Sequence, residues 1–216
     1  MLTKNDRTVE DCLHVLENIA PLKIDHLGFK DIGVERAVLE ELNRRIRAAG
    51  AVSHMELVST DRQECLESAR FAVEIGVDRL LGGVDPEGIL GAIAGSPVGY
   101  FPFPGLPQGH PTRLGGKPER IAKDCRRFEE LGCAGVDLLA FRAVEADPLE
   151  LVRAARLATK KTLIVAGSVD SPGRIRELRT CGVNAFTLGS AAFDGTFSPQ
   201  KGLLYSQLRD VLAAVQ

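Results

Sequence analysis

The chain has 216 residues, 44% of them hydrophobic and 26% charged, with a formal net charge of -2. That composition can bury a sizeable core and is the composition of a globular domain. Basic and acidic residues interleave and no apolar run approaches the roughly 18 residues of a membrane span, so neither nucleic acid nor a membrane is expected as a partner. The segment before Thr8 lacks the apolar core of a secretory signal, and the expected location is cytoplasmic. Five cysteines without a C-x-x-C pair are expected as buried free thiols.

In chain order, Met1-Leu2-Thr3 is all the material available for a first strand. Thr8 and Asp11 then offer a capping box for a helix over Val9–Ile19. Apolar strand-like runs follow at Ile24–Phe29, Val52–Val58, Arg79–Leu81, Val98–Phe101, Val136–Ala140, Leu163–Val165 and Ala185–Leu188. Between them, amphipathic patterns predict helices at Glu35–Ala49, Arg62–Ile75, Glu87–Ala94, Glu119–Leu131, Leu149–Ala158 and Gly173–Thr180, with a last one at Leu203–Val215. The punctuation agrees. Asp85-Pro86, Asp147-Pro148 and Ser171-Pro172 each set a capping side chain before a proline at the first helical position. Gly50, Gly76, Gly132 and Gly182 stand where helices end and strands begin.

Short, nearly continuous apolar strands alternating with helices predict a parallel sheet covered on both faces. With eight helices and roughly 27 residues per unit, the expectation is a single (β/α)8 TIM barrel over residues 1–216, its first strand very short. An open doubly wound sheet would need a reversal of strand order that the sequence does not mark. In such a barrel the loops after the strands form the catalytic face. The loop from Pro102 to Gly116 is far longer than a βα connection needs, and is expected to be a structureless lid or binding loop.

Two of these strand ends share a pattern. Ile164-Val165-Ala166-Gly167-Ser168 and Thr187-Leu188-Gly189-Ser190 each empty a strand into a Gly-Ser turn. Glycine lets backbone approach an anion, serine adds a hydroxyl donor, and a following helix start supplies free N–H groups and partial positive charge. These two segments, with Gly182-Val183-Asn184-Ala185-Phe186 before the second, resemble the ends of strands seven and eight in the ribulose-phosphate-binding barrels. The resemblance implies a phosphate cradle at Gly167, Ser168, Gly189 and Ser190, and a phosphorylated substrate. It does not extend to the Asp-x-Lys-x-x-Asp signature of that superfamily's decarboxylases, of which Lys30-Asp31 keeps only an adjacent pair, nor to the metal-binding set of its epimerases.

Ionisable residues at strand ends are the candidates for chemistry. Lys30, beyond strand two, could protonate an enolate, form a Schiff base or bind an acidic group, and Asp31 beside it points to the opposite face. Glu56, a carboxylate in an apolar strand, needs a partner or a task, and His54 two residues earlier reads as a satisfied core histidine. Asp137 is an acid/base candidate or a buried ion-pair partner. Arg142 and His110 are candidate anion clamps, Arg113 travels on the same loop as His110, and Lys4 is a candidate substrate contact. Asn5 or Asp6 is expected merely to start the first helix, while Asp85 and Asp147 are explained as caps.

The expected activity is that of an enzyme acting on a small phosphorylated sugar or sugar acid by proton transfer next to a carbonyl: an isomerase, an epimerase, or a decarboxylase or aldolase-type lyase. Lys30, Glu56 and Asp137 would be its catalytic groups. No cofactor is required by the sequence. One alternative makes Glu56 and Asp137 ligands of a divalent metal such as Mg that stabilises an enediolate. Another is a phosphometabolite sensor without chemistry. The expected partner is a small phosphorylated metabolite, and homo-oligomer formation is left open.

Overall fold

The computed structural model describes residues 1–216. Eleven strands are formed: β1 (Thr3–Lys4), β2 (Arg7–Thr8), β3 (His26–Lys30), β4 (Val52–Leu57), β5 (Arg79–Gly82), β6 (Gly99–Phe101), β7 (Leu106–Gln108), β8 (Arg113–Gly115), β9 (Gly135–Leu138), β10 (Thr162–Val165) and β11 (Ala185–Phe186). The helices are α1 (Cys12–Ile19), α2 (Arg36–Ala48), α3 (Arg62–Ile75), α4 (Pro86–Ala92), α5 (Pro118–Glu130), α6 (Pro148–Ala158), α7 (Pro172–Thr180), the single turn α8 (Ser190–Phe193) and α9 (Leu204–Ala214).

Two parallel sheets, β3-β4-β5-β6 and β9-β10-β11, make most of the wall. They are joined where Ala134 N–H donates to the Tyr100 carbonyl at 2.9 Å and Asp137 N–H to the Pro102 carbonyl at 3.0 Å. On the other side the chain start completes the ring: the Met1 amine donates to the Leu188 carbonyl at 2.8 Å and Leu2 N–H to the Gly28 carbonyl at 2.6 Å. The fold is the expected TIM barrel, with Met1 to Lys4 in the position of the first strand. Side chains alternate accordingly. Leu80, Tyr100, Leu163 and Val165 belong to the large core beneath the helices. Leu81, Phe101 and Ile164, one residue over, pack on each other as a separate inner cluster with Ala185. This is the two-layer burial that parallel strands with helices outside require.

The caps form as expected at Asp85, Asp147 and Ser171, whose side chains accept N–H bonds from Gly88, from Leu149 and Glu150, and from Arg174. Asp61 caps α3 in the same way. Two expectations fail. Asp11 makes no side-chain capping bond and α1 starts at Cys12, because Thr8 is not at a helix start. Thr8 lies in β2, and its hydroxyl bridges the Lys30 amide and carbonyl, both at 2.8 Å. The long loop is not structureless either: β7 and β8 pair antiparallel as a hairpin, whose Leu114 bridges Ala143. A connection of that length satisfies its own backbone by pairing with itself.

Gly135 faces the barrel interior, where a Cβ would overlap the Thr162 carbonyl and meet the Phe101 ring at 2.8 Å. Gly135→Ala is expected to lower stability in urea denaturation by roughly 1–3 kcal/mol. Gly91, within α4 and with open space around it, is the control: Gly91→Ala should raise stability by about 0.5–1 kcal/mol.

Candidate active site

Lys30 closes β3 and lies opposite Glu56 in the β3–β4 register. Both side chains therefore enter the barrel at the carboxyl ends of the strands, and both are buried. The Lys30 ammonium donates to Glu56 Oε1 at 2.6 Å and to Asp6 Oδ1 at 3.1 Å. Burial alone would lower the lysine pKa, but the two carboxylate charges and their hydrogen bonds raise it above its ordinary value. Lys30 is thus a fixed ammonium. It is not the neutral amine that Schiff-base chemistry needs.

Asp6 is the residue that sequence reasoning missed. It does not start a helix. With Asn5 it forms the tight turn between β1 and β2, at φ of 59° and 51° respectively, a left-handed conformation that Asn and Asp tolerate better than most residues. The turn carries the Asp6 carboxylate over the barrel mouth. Beyond Lys30 it accepts from Arg142 through both oxygens, at 2.5 and 2.7 Å, and from Thr112 N–H at 3.2 Å. Burial raises the acid's pKa, yet the Arg142 hydrogen bonds and the Lys30 and Arg142 charges outweigh it and hold Asp6 well below the usual carboxylate range. The available signal was the Asn5-Asp6 pair between two short β-prone dipeptides, a turn composition.

Arg142, in a 3-10 turn after β9, is correspondingly no free anion clamp. Its guanidinium is committed to Asp6 and donates to the Thr112 carbonyl at 3.3 Å. His110 lies exposed at the hairpin tip and outside the cluster, and Thr112, two residues on, is the buried hairpin residue that meets it. Arg113 is exposed as well. Lys4 pairs with Asp194 at 2.7 Å at the rim, half-exposed. Asp31 points away from the mouth, accepting from Val58 N–H at 3.1 Å.

Asp137 differs from the others. It is fully buried on β9, and neither carboxylate oxygen has a hydrogen-bond partner. Burial, reinforced by the Glu56 charge, pushes its acid well above the normal value. It does not line the cavity at the mouth. Nor do Glu56 and Asp137 suit a metal: no group of three or more His, Cys, Asp and Glu side chains is placed to hold one, and the Lys30 ammonium occupies the cation position beside Glu56.

The cavity has a volume of about 240 Å³. Asp6, Lys30, Glu56 and Arg142 line one side, and both Gly-Ser turns line the other. Gly167 and Ser168 are consecutive left-handed residues, at φ of 75° and 56°. The amides of Gly167, Ser168, Val169 and Gly189 donate to no group of the protein. The Ser190 hydroxyl accepts from Asn5 N–H at 3.2 Å and keeps its own proton to donate. The helix expected after the second turn is only the four-residue α8, so the anion-binding capacity resides in the amides more than in a helix dipole.

No family model and no curated protein matches the chain. Solved structures do. Orotidine 5'-phosphate decarboxylase from Pyrococcus horikoshii superposes with a TM-score of 0.62 at 13% identity, over 93% of this chain and 96% of that one. A tryptophan synthase alpha-subunit from Pyrococcus furiosus gives 0.61 at 12% identity, over 84% and 75%. A mandelate oxidase gives 0.61 at 14% identity, over 94% and 69%. All three are TIM-barrel enzymes, and at these identities the likeness shows the fold alone.

Asp6→Asn leaves Lys30 and Arg142 short of a countercharge and is expected to cost about 3–5 kcal/mol at pH 7. Because the folded-state pKa of Asp6 lies below its ordinary 3.8, its contribution is present above about pH 4 and fades as pH falls further. The difference between the proteins in urea denaturation should shrink accordingly below pH 4. Asp137 behaves oppositely. With a raised folded-state pKa, it costs stability increasingly as pH climbs past its unfolded value near 3.8, so wild type should lose stability relative to Asp137→Asn as pH rises above about 4.

Proposed function

We propose that the protein is an enzyme acting on a small phosphorylated sugar by proton transfer next to a carbonyl, in the manner of an isomerase, an epimerase or a carbon-carbon lyase. One observation carries this reading: a line of unpartnered backbone amides and a cluster of fixed charges face each other across one cavity. Unpaired N–H groups that converge on one concavity from consecutive left-handed residues are a preformed anion site, and a phosphate is the partner they suit. A phosphate between the turns at Gly167-Ser168 and Gly189-Ser190 would meet those amides and the Ser190 hydroxyl. The rest of the substrate would then extend toward Lys30 and Glu56. The volume suits a small metabolite, being below the ordinary range of drug-sized pockets.

The cluster divides the labour. Asp6 is saturated by four hydrogen bonds and serves to position Lys30. Glu56 accepts from Lys30 through Oε1, and no other side chain bonds it, which leaves Oε2 to take the proton from the carbon next to the carbonyl. The Lys30 ammonium hydrogen-bonds the carbonyl oxygen and supplies its proton as the enediol forms. Glu56 then delivers the first proton to the former carbonyl carbon while the Lys30 amine takes the proton of the adjacent enediol hydroxyl, which forms the new carbonyl and restores both groups. Asp137 lies off the cavity and is not the base. The same enolate would follow carbon-carbon cleavage, with Lys30 again the proton source. The site is taken to work in the cytoplasm, without a cofactor.

Turnover of a panel of triose to hexose phosphates tests the assignment. Lys30→Met and Glu56→Gln should each reduce kcat by roughly a hundredfold to ten-thousandfold on the substrate found. Intact turnover in both would remove them from the chemistry. Ser168→Asp keeps a residue tolerant of the left-handed backbone while placing a carboxylate among the amides. It should abolish competitive inhibition by inorganic phosphate, and unchanged inhibition would remove the phosphate from these turns.

A further inference from the structure

The charges around the mouth cavity limit what its occupant carries. Four carboxylates line it, those of Asp6, Glu56, Asp170 and Asp194, against two cationic side chains, Lys30 and Arg142. Both cations are already matched. Lys30 pairs with Asp6 and Glu56, and Arg142 pairs with Asp6. At the rim, Lys4 is spent on Asp194 and Arg174 on Asp170, each at 2.7 Å. The Met1 amine also lines the cavity, but burial lowers it to about 6, so it adds little charge at pH 7.5.

The two ends of the cavity therefore suit different acceptors. At the turns, the amides of Gly167, Ser168, Val169 and Gly189 donate to no protein group and suit a phosphate. At the cluster, an ammonium has three N–H donors, and Lys30 uses one on Asp6 at 3.1 Å and one on Glu56 at 2.6 Å. One donor remains, which serves a single neutral oxygen. A carboxylate placed there would set its charge against Glu56 and Asp6 with no unmatched cation to offset it, and like charges in a site shielded from water repel strongly. Thr3 and Thr187 also line the cavity, and their hydroxyls make no hydrogen bond within the protein. They are neutral partners for substrate hydroxyls.

Resting on the phosphate reading of these turns, we infer that the substrate is the phosphate ester of a neutral hydroxy-aldehyde or hydroxy-ketone, and that the charge cluster rejects phosphorylated sugar acids. Isomerisation, epimerisation and aldol-type cleavage are open to such a substrate. Decarboxylation is not, because it needs a carboxylate at the reacting end.

Competition for bound inorganic phosphate, followed by phosphorus NMR at pH 7.5, tests this with matched pairs of terminal phosphate esters. The pairs are glycerol phosphate and phosphoglycerate, erythritol phosphate and phosphoerythronate, and ribitol phosphate and phosphoribonate, whose members differ only in a hydroxymethyl or carboxylate at the far end. With wild type, the alcohol of at least one pair should displace phosphate, and its acid partner roughly tenfold or more weakly. Equal displacement within the pairs, tighter binding of the acids, or no displacement by any alcohol overturns the inference while phosphate binding stands. No binding of inorganic phosphate removes the underlying reading, and the inference with it. Glu56→Gln takes one carboxylate from the cluster at nearly constant shape and should narrow the gap between alcohol and acid to roughly threefold or less. An unchanged gap in that variant overturns the role of the cluster in the discrimination.

Discussion

The Asp6 carboxylate holds the mouth of this barrel together. It is a buried anion on a two-strand turn, and it satisfies Lys30 from β3, Arg142 from the segment after β9, and the Thr112 amide from the hairpin. Without Asp6 the Arg142 guanidinium would lose its ion-pair partner and Lys30 one of its two, so Asp6 is what stabilises the packing of these elements at the mouth. The consequence is positional. Lys30 is fixed as an ammonium over the cavity, the hairpin is held down by Thr112, and Arg142 lies against Gly167, whose missing side chain leaves room for the guanidinium stem. A positioning network of this sort holds one geometry because every member is hydrogen-bonded.

At the mouth, Met1 and Leu2 complete the ring by one hydrogen bond to each neighbour, and the chain then turns at once to deliver Asp6. Paired charge and unpartnered amides are thereby brought to the same end of the barrel, where substrate chemistry is proposed.

Much of the fold was legible in the sequence because its signals are local. The proline-preceding caps at Asp85, Asp147 and Ser171 form as written, since a cap needs only its own first helical turn. Seven of the strands stand within a few residues of their expected positions, because continuous apolar runs have no other stable location than a covered parallel sheet. The hairpin in the long loop was not legible: its two three-residue strands show no hydrophobic alternation, and only their pairing with each other stabilises them. Asp11 likewise failed as a cap because Thr8 had a distant partner in Lys30, and a tertiary bond outweighed a local motif.

The sequence by itself determined the barrel, the identity of the two Gly-Ser turns, and the placement of Lys30 and Glu56 at neighbouring strands, since strand order follows from the alternation of elements and chain direction. It did not distinguish the states of the ionisable groups. Whether Asp6 is a cap or the centre of a charge cluster, whether Arg142 is free or committed, and whether Asp137 is charged all depend on what lies within a few ångströms across the chain, at separations of 24 residues for Asp6 and Lys30 and 136 for Asp6 and Arg142. Electrostatic energies vary with distance and burial, and only the folded barrel sets either.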